Sequence, residues 1–90
     1  MGKEIVLFSS EERTDKTRVS AFLRELADRI DQNSVVLKKG EEEHSVDLPD
    51  DLVLEVKLEE EAKGQGVKYS LEVELEWTPG GSGGGRVSLG

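Results

Sequence analysis

Residues 67–77 read Val-Lys-Tyr-Ser-Leu-Glu-Val-Glu-Leu-Glu-Trp, and this stretch decides the fold. Its apolar residues occupy alternate positions, and the positions between them are polar or charged. Because successive side chains of a β-strand point to opposite faces, the pattern predicts a strand with one apolar and one charged face. An α-helix of the same residues would scatter its apolar side chains around the axis and leave no face to bury.

A helix suited to that apolar face is predicted from about Thr14 to Gln32. Its apolar residues recur at helical spacing and form one stripe, which consists of Val19, Phe22, Leu23, Leu26, Ala27 and Ile30. Two starts are open, since Ser9 with Glu12 resembles a capping box and Thr14-Asp15 offers a second N-cap. We expect the stripe to pack on the apolar face of the sheet.

The remaining apolar segments predict four more strands, at residues 5–8, 35–39, 44–48 and 52–59. Gly40 and the segment 64–66 are predicted hairpin turns, and Pro49-Asp50-Asp51 is a further turn. Strands joined this tightly must be antiparallel neighbours. The predicted fold class is α+β, with one amphipathic helix packed on one face of a mainly antiparallel sheet. The predicted order is strand-helix-strand-strand-strand-strand, and the position of the first strand in the sheet is left open.

Charge predicts the register of the last hairpin. If the apolar residues of both strands share one face, the residue numbers of each cross-strand pair must add up to an odd value. A register in which they add up to 129 places opposite charges across from each other. The expected pairs are Lys57 with Glu72, Glu61 with Lys68, Val56 with Val73 and, less favourably, Glu55 with Glu74. A sum of 127 is the alternative register.

The length of 90 residues allows one domain, which we place at residues 1–78, with a disordered Gly/Ser-rich tail at 79–90. There is no cysteine, so disulfides and thiolate metal sites are excluded. No apolar run reaches the ~18 residues of a membrane span. The first eight residues are too short and too soon charged for a signal peptide, so a cytoplasmic location is expected.

The formal net charge of −8 is concentrated in the strands. Residues 32–79 carry five Lys and Arg against thirteen Asp and Glu, whereas residues 1–31 are close to neutral. Nucleic acids and anionic membranes both attract basic surfaces, so neither is an expected partner. A simpler interpretation is that the charge only keeps a small protein soluble and monomeric.

No group of residues has the pattern of a catalytic centre. His44 is the only histidine and is interpreted as a residue at the rim of the core. Glu72, Glu74 and Glu76 form a row ~7 Å apart on one strand face, whereas hard cations prefer six or more converging oxygens. Since no nucleophile motif or phosphate loop accompanies them, we expect no enzyme, no cofactor and no metal site.

Two segments together resemble a known family. The helix residues 21–30 and the final strand residues 71–77, which end in Trp77, are similar to the amphi-Trp domain. The resemblance covers roughly residues 10–77. It implies a small amphipathic domain and assigns no catalytic residue.

The sequence favours a non-catalytic interaction module that binds a protein partner, or a second copy as a weak homodimer, through the sheet. The possible interface residues are Phe8, Val36, Val53 and Trp77, which are apolar residues expected at the rim or on the uncovered face. A tryptophan in this setting is most often a core residue that closes one end of the helix stripe, and a half-exposed anchor at the sheet rim is the alternative for Trp77. The alternative function is a small-ligand or cation-binding domain that uses the acidic sheet face.

Overall fold

A computed structural model describes residues 2–79. The described elements, in chain order, are α1 (Lys16–Asp31), β1 (Val35–Lys39), β2 (Glu42–Val46), β3 (Val53–Lys63) and β4 (Gly66–Glu76). The strands form two antiparallel two-stranded sheets, β1–β2 and β3–β4. The predicted α+β class is therefore confirmed, with two sheets where one was expected.

The chain divides into two compact units at Leu48–Pro49, and each is described by itself. The single domain at residues 1–78 stays a prediction. The predicted tail, apart from its first residue, lies outside the described residues.

Helix α1 begins and ends at local signals in the sequence. Of the two possible starts, the structure uses Asp15, whose carboxylate accepts a hydrogen bond from the backbone N–H of Arg18 at 2.9 Å. At the other end Asn33 adopts a left-handed backbone with φ of 54°, and Ser34 N–H donates to Arg29 O at 3.0 Å. Within residues 2–79, no helix combines the length and apolar content that crossing a bilayer requires.

The predicted first strand is not formed, because residues 2–15 contain neither helix nor strand. A strand must satisfy its backbone groups by pairing, and neither described sheet takes up this segment. Ile5, Val6 and Leu7 are at least 70% exposed. Its last residue, Phe8, is half-buried, and the backbone next to it is held where Lys39 Nζ donates to Ser9 O at 2.8 Å.

The small core of the first unit lies where α1 contacts β1. Val35 is 7% exposed and is the only buried residue among residues 2–79. Leu26 and Ile30 of the helix and Leu37 of β1 are half-buried. The hairpin turns at Gly40, whose φ of 60° suits the first loop position of a tight two-residue turn.

The second unit is a long ribbon in which β3 and β4 pair over eleven residues each. The predicted sum of 129 is confirmed, since Val56 pairs with Val73 and Lys57 pairs with Glu72. The loop consists of residues 64 and 65 and is shorter than the predicted turn at 64–66, because Lys63 and Gly66 also pair. Gly64 opens the turn with a φ of 54°, a region that favours glycine.

Candidate functional site

The apolar face of the β3–β4 ribbon is the largest regular apolar surface of the second unit. It is built from cross-strand pairs on one face: Leu54 with Leu75, Val56 with Val73, Leu58 with Leu71, Glu60 with Tyr69, and Ala62 with Val67. The strict alternation of both strands places these side chains together, and Glu60 is the only charged one. Most of the large apolar side chains on this face are 52–73% exposed.

Packing of the helix stripe on this face would join the two units, which are each described by themselves, so it stays a prediction. On the ribbon face Leu75 alone is half-buried, and in the first unit the stripe residues Val19, Phe22 and Leu23 are 44–51% exposed.

The opposite face of the ribbon is acidic. The carboxylate oxygens of Glu55, Glu74 and Glu76 lie within 4.8 Å of one another, and all three residues are exposed. Sequence reasoning predicted a row along one strand, and cross-strand pairing adds Glu55 to it. With one ligand oxygen from each carboxylate, the cluster supplies three of the six to eight oxygens that Ca²⁺ takes. The same face contains Lys57, whose Nζ lies 4.0 Å from Glu72 Oε1.

Two of the predicted interface residues meet in the first unit. Phe8 and Val36 both line a cleft of about 490 Å³ that also includes Phe22. The Phe8 ring stands edge-on to His44 with the ring centroids 6.0 Å apart, and Lys39 Nζ lies 5.9 Å from the Phe8 centroid. The predicted rim position of His44 agrees with this packing, since its side chain is 40% exposed.

The other two predicted interface residues belong to the open end of the ribbon. Val53 pairs with Glu76 on the acidic face and is 59% exposed. Trp77 directly follows β4 and is 38% exposed, which agrees better with a half-exposed anchor than with a core residue. The apolar ribbon face itself was not singled out as a candidate site from the sequence, because it was expected to pack against the helix stripe.

Fold and surfaces together define a small acidic α+β domain with an amphipathic ribbon and a tryptophan at the ribbon's end. A family model described as the Amphi-Trp domain matches residues 1–90. The chain belongs to the Amphi-Trp domain family. No curated protein and no solved structure matches the chain.

Proposed function

We propose that the protein is a non-catalytic interaction module that binds a protein partner, or a second copy of itself, through the β3–β4 ribbon. The observation that carries the proposal is the exposed apolar face of this ribbon, whose side chains from Leu54 to Val73 are mostly more than half exposed. Large contiguous apolar patches with polar surroundings are typical of protein-binding surfaces. A cytoplasmic location and the absence of catalytic activity belong to the same proposal.

The hydrophobic effect gives such a surface a reason to bind. Burying apolar surface yields roughly 25 cal/mol per Å², and about 1.5–3 kcal/mol for each large side chain that is fully buried. With Val35 as the only buried residue of the described chain, little of this free energy is realised within the molecule. Covering the ribbon face would therefore add to the free energy that the protein gains from burying apolar surface.

The charge of the ribbon unit restricts the class of partner. Residues 49–79 carry three lysines against nine Asp and Glu. A complementary partner surface therefore needs apolar side chains at its centre and positive charge at its rim. The positive charge comes from basic groups of a different protein, or from the lysines of the ribbon when the partner is a second copy. Nucleic acid is disfavoured for the same reason.

The interface residues predicted from the sequence form part of this proposal in two places. Trp77 extends the ribbon surface at its open end, whereas Val53 lies on the opposite, acidic face. Phe8 and Val36 line a separate cleft in the first unit.

A matched pair of variants tests the ribbon. Val56 and Val53 lie on the same strand and are 60% and 59% exposed, but they point to opposite faces. The immobilised parent is used to capture partners from a cell extract, and each captured protein is purified and titrated against the parent, Val56→Lys and Val53→Lys. A dilution series by sedimentation measures self-association of the same three chains.

We expect Val56→Lys to abolish binding of the captured partner while Val53→Lys retains it. Loss with Val53→Lys alone would instead assign binding to the acidic face of the ribbon, which carries Val53. If every captured protein binds both variants as tightly as the parent, binding through the apolar ribbon face is refuted. Thermal shifts with Ca²⁺ and Mg²⁺ address the alternative cation-binding function. A shift that Glu55→Gln removes would favour that alternative.

A further inference from the structure

The outer edge of β4 has no strand neighbour in the described part of the chain. Among residues 2–79, β4 pairs with β3 alone, so one side of its backbone has no strand neighbour. Edge strands commonly avoid pairing by placing a charge on the buried face. β3 has such a charge in Glu60, which lies among the apolar residues of its face. The corresponding positions of β4 are all apolar: Val67, Tyr69, Leu71, Val73 and Leu75.

The turn determines which backbone groups of β4 face outward. A two-residue loop is closed by a hydrogen-bonded pair, here Lys63 with Gly66, and such pairs alternate along an antiparallel ladder. The odd-numbered residues from 67 to 75 therefore direct their N–H and C=O groups away from β3. These are also the residues whose side chains form the apolar face, so a strand added at this edge extends that face.

A second copy of β4 fits this edge in a symmetric register that uses the whole strand. When two antiparallel copies pair about a two-fold axis at Leu71, paired residue numbers sum to 142 and all eleven residues of β4 are used. The apolar face then pairs Val67 with Leu75 and Tyr69 with Val73. On the acidic face Lys68 lies opposite Glu74, twice in the dimer by symmetry.

The charge pattern of β4 suits this register, and that of β3 does not. In β4 the remaining polar pair is Ser70 with Glu72, so no like charges are opposed. The same symmetric pairing of β3, about Leu58, opposes Glu55 to Glu61 and Val56 to Glu60. Cross-strand charge complementarity therefore selects β4 as the edge and a second copy as its occupant.

We propose that two copies of this chain associate through antiparallel pairing of their β4 strands, with Lys68 of each copy opposite Glu74 of the other. This inference rests on the proposed function and names the partner as a second copy. Pairing converts two hairpins into one four-stranded sheet. An isolated two-stranded hairpin is marginally stable in water, and three or more strands with an apolar face give independent stability.

Charge reversal tests the register directly. In a dimer of Glu74→Lys, Lys68 of each copy lies opposite the introduced lysine of the other copy, so like charges meet at both equivalent positions. Within each hairpin the same substitution removes the unfavourable Glu55–Glu74 pair, so the hairpin stays folded. The second variant combines Lys68→Glu with Glu61→Lys. The hairpin keeps an opposite-charge pair between these two positions, whereas a dimer of this variant places two carboxylates opposite each other. We expect each variant alone to dimerise about tenfold or more weakly than the parent in sedimentation equilibrium.

An equimolar mixture of the two variants is the decisive sample. Opposite charges meet at both positions only in the mixed dimer, so we expect the mixture to associate at least as tightly as the parent. Glu59→Lys is the matched control, because it makes the same charge change as Glu74→Lys on β3, opposite Ser70. It should dimerise like the parent. Amide spectra of each variant confirm that the hairpin has formed.

Three results would overturn the inference. They are a parent that stays monomeric up to about 1 mM, a Glu74→Lys variant that dimerises like the parent, and a mixture that fails to associate. A dimer that Val56→Lys abolishes and Glu74→Lys leaves intact would indicate packing of the two faces in place of the edges. A monomeric parent that binds another protein through the ribbon leaves the proposed function standing, so the two failures are distinguishable.

Discussion

Glu74→Lys should stabilise the isolated ribbon unit. In the structure Glu74 lies directly opposite Glu55, and their carboxylate oxygens lie within 4.8 Å of each other. Like charges directly opposite each other destabilise an antiparallel pair, and opposite charges stabilise it. The substitution therefore removes a repulsion and creates an attraction at the same position.

The expected magnitude follows from that distance. Two unit charges 4.8 Å apart interact by about 0.9 kcal/mol in water, and screening at physiological salt reduces this to about 0.5 kcal/mol. Reversing one charge changes the sign of the interaction, so the Glu55 pair contributes a gain of about 1 kcal/mol. Because exposed side chains move apart to relieve repulsion, this value is an upper estimate for the pair.

Urea unfolding, followed by the fluorescence of the single tryptophan, Trp77, measures the change at concentrations where the chain is monomeric. Glu72→Lys is the control, because it makes the same charge change two residues away but opposes Lys57, with which Glu72 now interacts at 4.0 Å. It should lower stability by a similar amount. Both effects should shrink in 1 M salt. If the free energy of unfolding changes in the same direction in both variants, the argument from the register is refuted.

Three local features give further predictions. Asp15→Ala removes the carboxylate that accepts from Arg18 N–H and should cost about 1 kcal/mol, measured as lost helicity and a lower urea midpoint. Gly64→Ala should destabilise the ribbon by about 1 kcal/mol through its positive φ alone, since an added Cβ meets nothing within 4 Å, whereas Gly66→Ala should cost less. Lys39→Met should lower the backbone order parameters next to Phe8, since it removes the bond to Ser9 O; unchanged order parameters would contradict an anchoring role.

The register of the ribbon was predictable because several local rules agree. The period of two fixes which side chains share a face, Gly64 fixes the turn, and the charges choose between sums of 129 and 127. The helix was predictable for the same reason, since its stripe, its N-cap and Asn33 indicate nearly the same limits. These features depend on residues close together in sequence.

The differences arose where a prediction needed long-range pairing. Residues 5–8 have the composition of a strand, but composition does not supply a neighbouring edge. The structure has two sheets in place of one, and the difference arises at β2. In a single sheet, Glu42 and His44 of β2 would have to lie beside apolar residues of a third strand. The predicted interface residues were apolar positions that the expected sheet left uncovered, and the apolar face of the ribbon was not among them.

The scarcity of buried residues leads to a last prediction, about the dependence of stability on concentration. A domain with Val35 alone buried among residues 2–79 gains little from its own core, and small domains are marginal even when well packed. Anything that binds only the folded chain stabilises it by RT ln(1 + [L]/Kd), and for a dimer the ligand is the protein itself. We therefore expect the melting temperature to rise across a hundredfold increase in protein concentration, and to rise less for Glu74→Lys. A melting temperature that stays constant over this range would show that the chain folds without association. Self-association would then make no contribution to its stability.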